Sequence, residues 1–204
     1  MNKYLCALPS AIIMALPYLV SPASAAKPVH AVDVKSFDVG GVKTGMSIEE
    51  ARAAMQKNFG VPADKIEATK SATYQVATKV TGSQQIMYLV YENKGTRMQV
   101  TFEPRIPYDK SNPMAAALIS YEIPWTSDNE TSIKEAALAK YGPVSTTDMY
   151  PVWCENPIPG TGMGCEPDSA SLKVASTTLT LIDPAWQNAR MKFMDQQNAT
   201  KPQI

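Results

Sequence analysis

The chain is poor in the residues that most enzyme chemistry requires. Its 204 residues hold one histidine and three cysteines, and its formal charge at neutral pH is zero. The single imidazole, His30, lies near the start of the chain. Ser–His and Cys–His mechanisms need a base held firmly against its nucleophile, and a base in an N-terminal lead-in does not meet that need. No Cys-x-x-Cys, no thiol–imidazole cluster and no EF-hand spacing occurs. The ligand patterns of zinc, calcium and redox sites are therefore missing, and the sequence calls for no metal and no cofactor. Balanced charge removes the electrostatic case for nucleic acid, whose affinity rests on neutralised phosphates. It also removes the case for adsorption to anionic lipid. Gly160-Thr161-Gly162-Met163-Gly164 lacks the Lys-Ser/Thr and the following helix of a phosphate cradle, and it reads as a flexible bridge. No residue is assigned a catalytic role. Carboxylate pairs remain open for a glycosidase-type alternative, because their separation is a three-dimensional quantity.

Long apolar runs are also scarce. The longest, Tyr4 to Val20, is interrupted by Pro9, Ser10 and Pro17, whereas a spanning helix needs about 20 apolar residues. Lys3 precedes the run and Ala23-Ser24-Ala25-Ala26 follows it. A basic start, an apolar middle and an Ala-x-Ala end are what a signal peptidase reads, so cleavage is expected after Ala25 or Ala26. Cys6 precedes most of the run and would leave with it, so it is no lipoprotein cysteine. Loss of residues 1–25 takes one lysine and leaves 18 basic against 19 acidic side chains. The expected address is periplasmic or secreted, with no stable membrane anchor after cleavage.

Cys154 and Cys165 then remain, an even count in an oxidising compartment, and a disulfide between them is expected. It would close a loop of 12 residues rich in Pro and Gly. The ten residues between the two thiols do not fit redox chemistry.

Residues 26–36 read as a flexible lead-in to one α+β body at 37–204, with halves at 37–123 and 124–204. Phe37-Asp38-Val39 reads as a short strand before a Gly40-Gly41 turn. Ser47 and Glu50 form a capping box ahead of Ile48, Ala51, Met55 and Phe59, which share one helical face. Gly60 and Pro62 end that helix. Strands are expected over Ala72–Val80, Ile86–Glu92, Thr96–Glu103 and Ala116–Ile123. In the third of these, Met98, Val100 and Phe102 alternate with polar neighbours, the mark of a sheet with one buried face. A second helix is expected from an Asp128 or Asn129 cap to Lys140, stopped at Tyr141-Gly142-Pro143. Strands follow at Thr147–Trp153, Ser171–Ala175 and Thr177–Ile182. A last helix runs from Pro184 to Gln196 behind Asp183. Ser47-Ile48-Glu49-Glu50-Ala51 matches Ser132-Ile133-Lys134-Glu135-Ala136, and each helix ends in aromatic-Gly. The pattern is that of two related helix-plus-antiparallel-sheet units in tandem.

Val42-Lys43-Thr44-Gly45-Met46-Ser47-Ile48-Glu49-Glu50-Ala51 resembles the strand-to-helix segment of SmpA/OmlA-type lipoprotein domains and of β-lactamase-inhibitor-protein-like domains. Lys140-Tyr141-Gly142-Pro143 with Trp153-Cys154 and Cys165 is similar to exported bacterial proteins with such folds. The resemblance implies helices on an antiparallel sheet and binding to another envelope or secreted protein, without chemistry. The chain departs from the lipoproteins in lacking a lipid-bearing Cys. Tyr150 and Trp153, beside the disulfide loop, are the candidate binding surface, since aromatics on a stiffened segment lose little entropy on docking. The alternative for Trp153 is the core. Alternative functions are an envelope hydrolase using paired carboxylates and a small-ligand binding protein.

Overall fold

The computed structural model describes residues 30–70, 75–146, 150–158 and 164–199. The expected leader with its expected cleavage site and Cys6, the start of the strand expected at Ala72, Thr147 and the glycines at 160 and 162 lie outside the described residues.

The fold is α+β. Seven strands form one antiparallel sheet in the order β1-β2-β3-β4-β7-β6-β5. They are β1 (Glu67–Lys70), β2 (Ile86–Asn93), β3 (Thr96–Pro104), β4 (Met114–Glu122), β5 (Val152–Cys154), β6 (Ser171–Ala175) and β7 (Thr178–Ile182). Helices α1 (Ile48–Phe59), α2 (Gln75–Thr81), α3 (Ser127–Tyr141) and α4 (Pro184–Asn198) complete it. Each half begins with a helix and then lays its strands inward from an outer edge. The last strand of each half, β4 and β7, pair at the centre, Ser120 opposite Thr180. That arrangement is a tandem of helix-plus-meander units sharing one sheet.

Period-2 patterning explains the sheet. Met87, Leu89 and Tyr91 of β2, Met98, Val100 and Phe102 of β3, Ile119 of β4, and Leu172, Val174, Leu179 and Leu181 of β6 and β7 are buried on one face. Ile48, Ala51 and Met55 of α1 and Ile133 and Ala137 of α3 join the same apolar cluster. Both helices therefore cover that face. Ser47 caps α1 reciprocally. Its hydroxyl accepts the Glu50 N–H at 3.2 Å, and the Glu50 carboxylate accepts the Ser47 N–H at 2.8 Å. Gly60 closes α1 at φ 63°, a left-handed value that glycine adopts without a Cβ penalty.

Several expectations are corrected. Residues 75–81 are helical, because Val76 and Val80 stand four apart and Ala77 buries between them. The β1 edge was not legible, since all four of its residues are exposed and carry no apolar alternation. The cap of α3 is Thr126, whose hydroxyl accepts the Asn129 N–H at 3.0 Å, in place of Asp128 or Asn129. Phe37–Val39 is no strand. A 3₁₀ turn at Val34–Ser36 precedes it, and Val39 makes only a bridge to Val42.

The described part of the lead-in, residues 30–36, is tied down. The His30 N–H donates to the Ser145 carbonyl and the Val32 N–H to the Cys154 carbonyl, each at 3.0 Å. Val34 is fully buried. Lys35 pairs with Glu155 at 3.4 Å. Just beyond, Asp38 meets Lys140 at 2.8 Å, and its carbonyl accepts the Tyr141 hydroxyl at 2.6 Å. The segment is a strap from the first half onto the second.

Candidate functional site

The sheet has a second face. Opposed residues of an antiparallel pair point the same way, so strand register fixes its composition. One transverse row contains Glu67, Val90, Gln99, Ser120, Thr180 and Lys173. The next contains Thr69, Tyr88, Thr101, Leu118, Ile182 and Ser171. A third contains Glu92, Arg97, Glu122, Thr178 and Ala175. Hydroxyls and amides dominate the middle, and charged side chains alternate in sign at the margins.

Helix α4 covers one end of this face. Asp183 caps it through a 3.1 Å bond from the Ala185 N–H, and Pro184 occupies its first turn. Arg190 reaches the buried Glu103 carboxylate of β3 at 3.0 Å. Trp186 packs under the Arg105 guanidinium, 5.1 Å from the ring centroid, and Arg105 donates to the Gly45 carbonyl at 2.6 Å. Beyond α4, and short of the β5 edge where Val152 and Cys154 are buried, the face is open. Glu67, Thr69, Tyr88, Val90, Glu92, Arg97 and Gln99 line a shallow depression of about 400 Å³ on it.

Two aromatics stand at the end away from α4. Trp125 follows Pro124 at the exit of β4 and is 68% exposed. It immediately precedes the Thr126 cap of α3, whose first turn carries Asp128 and Glu130. Tyr150 is 36% exposed, and Lys173 holds its ring with the ammonium 4.5 Å from the centroid. Lys173 belongs to the open face, so Tyr150 rims that face. Trp125 carried no sequence signal beyond standing outside every apolar period, immediately before a cap.

Trp153 takes the core alternative and is no part of a binding surface. It is 0% exposed, its indole donates to the Gly142 carbonyl at 3.0 Å, and its ring meets Tyr141 edge-on at 5.8 Å. Its neighbours in sequence explain this, because Val152 and Cys154 point to the opposite side and leave Trp153 facing Leu172 in the apolar layer. Cys154 and Cys165 are bonded to each other with Cα atoms 6.0 Å apart. His30 is exposed at the start of the strap.

The carboxylates whose pKa values are displaced all move down. Burial pushes Asp38 up, but bonds from Lys140 and the Gly41 N–H, with the charges of Lys140 and Lys43, outweigh it. Ser47 lowers Glu50, Ser111 lowers Asp109, and Lys134 lowers Glu130. A general acid at neutral pH needs the opposite direction. Arg97 stands 3.9 Å from Glu92 and opposite Glu122, as a charge-balancing neighbour of both. Among the described residues no cluster of three or more His, Cys, Asp and Glu side chains could hold a metal ion, and no helix is long and apolar enough to cross a membrane.

No protein-family model matches the chain, and neither a curated protein nor a solved structure matches it.

Proposed function

We propose that the chain is an exported protein-binding module of the bacterial envelope or its surroundings, an inhibitor or assembly factor, acting through the open face of its sheet. The observation that carries this reading is an uncovered sheet face with an exposed aromatic, Tyr150, on its rim and a second, Trp125, exposed at the same end of the sheet. Trp and Tyr anchor interfaces because they bury a large area and fix only two side-chain torsions. The face itself is preformed on seven strands, so docking orders little else. The disulfide and the strap stiffen the Tyr150 corner in the same sense. Export is supported by the leader pattern of residues 1–26 and by the paired cysteines, which persist in oxidising compartments.

Affinity capture from a periplasmic extract with immobilised mature protein tests the proposal. A partner is expected at about one per chain, and Trp125→Ala should weaken its retention at least tenfold, about 1.4 kcal/mol, without shifting the thermal melt. Recovery of no stoichiometric partner under several growth conditions, or capture indifferent to both Trp125→Ala and Tyr150→Ala, defeats it.

A further inference from the structure

The two-unit architecture leaves a seam on the helical face. Helix α1 packs on β2 and β4 and helix α3 on β6, and between them, over the central β4–β7 pair, opens a cleft of about 230 Å³. Its floor is Tyr121 of β4 and Leu179 of β7, and its walls are Ile133, Ala136 and Ala137 of α3 against Gly40 and Asn58. The small walls are why the gap exists, since bulkier side chains at positions 136 and 137 would close it. An apolar cavity of roughly 150 Å³ holds benzene, so this space fits one ring with a short polar substituent.

The mouth specifies that substituent. Lys140 spends two N–H groups on Asp38, at 3.0 Å to its carbonyl and 2.8 Å to its carboxylate, and keeps a third. That remaining N–H is a charged donor at the mouth, suited to an anionic acceptor. The Asn58 amide and the Tyr121 hydroxyl line the cleft without a hydrogen-bond partner among the described residues. An apolar pocket with a few convergent polar groups has the build of a small-molecule site.

We propose that this cleft binds a small aryl carboxylate, ring down on Leu179 and Tyr121, carboxylate at Lys140 and Asn58. The site lies on the opposite side of the sheet from the partner-binding face and stands or falls independently of it.

Amide chemical shifts of the isotope-labelled protein, titrated with benzoate, benzyl alcohol and benzylamine, test the assignment. Benzoate is expected to move Gly40, Ala136, Ala137, Lys140 and Leu179 in a saturable way, with a Kd of about 1 mM, ordinary for so small a ligand. Benzyl alcohol should bind at least ~5-fold more weakly, because it lacks the charge. Lys140→Gln should reduce benzoate to the level of the alcohol. Ala136 is exposed, so Ala136→Trp fills the mouth without touching the core and should abolish the shifts. No saturable shift up to about 20 mM benzoate, binding of benzylamine as tight as benzoate, or shifts that survive Ala136→Trp in a folded variant overturns the proposal. Should that variant fail to fold, an unchanged benzoate affinity in Lys140→Gln overturns it alone.

Discussion

The two outer edges of the sheet are built on opposite terms. Edge strand β1 has four residues, Glu67–Lys70, all exposed, with a register shift at Thr69/Lys70. Short, charged and irregular edges of this kind discourage further strand pairing. Edge strand β5 has three residues, all buried. Its outer side is taken up by Ser145, whose N–H bonds the Val152 carbonyl at 2.8 Å, and by Val32, which bonds the Cys154 carbonyl at 3.0 Å. One edge is guarded by its own side chains and the other by covalent and chain-distant cover. The second half has fewer and shorter strands than the first, and it relies on Trp153, the disulfide and the strap for what the first half obtains from β2 and β3.

That contrast can be broken most severely at Trp153. Trp153→Ala should cost about 4 kcal/mol in urea unfolding, the range for a fully buried aromatic, and a loss near 1 kcal/mol would show that the β5 edge is not held by its core. Replacement of both Cys154 and Cys165 by Ala comes next. Closure of a loop this short stabilises by about 3 kcal/mol on chain-entropy grounds, so the melting temperature should fall by several degrees and reductant should then have no further effect. Val34→Ala tests the strap. Two buried carbons at about 0.8 kcal/mol each, with a small cavity, give about 2 kcal/mol. An effect within experimental error would reduce the strap to a passive covering.

The smallest expected effect is electrostatic. Asp38 has a folded pKa below its ordinary 3.8, so its ion pair stabilises fully above that value and fades as pH falls through the folded one. Lys140 is 47% exposed on its side chain, and an exposed pair is worth roughly 0.5 kcal/mol. Asp38→Asn should therefore lower stability by that amount at pH 7, and wild type and variant should converge as the pH falls through the folded pKa of Asp38. A difference independent of pH across the acid range would assign the loss to packing.

What could be read from the sequence followed local chemistry. The Ser47–Glu50 capping box, the Asp183–Pro184 helix start and the alternation of Met98, Val100 and Phe102 are each decided within a few residues, and each forms as expected. The misread elements depend on distant contacts. Residues 75–81 carry β-branched side chains that suit a strand, and tertiary packing of Ala77 makes them a helix. Val34 in the lead-in looks like any valine among charges until Cys154 and Ser145 come beside its segment. Aromatic composition marks Tyr150 and Trp153 alike, and only strand parity separates the exposed ring from the buried one. The exposure of Trp125 is not legible locally, because exposure of an aromatic is a property of its surroundings.

The central pairing of β4 with β7 sets a rule for how the molecule can be assembled. The hydrogen-bonding edge of β4 is completed only by residues 178–182, and the strap at residues 30–36 finds its acceptors at Ser145 and Cys154. Both contacts join residues far apart in sequence, so they carry a high loop-closure cost and form late. The molecule becomes a single cooperative body only once its last strand enters the middle of the sheet.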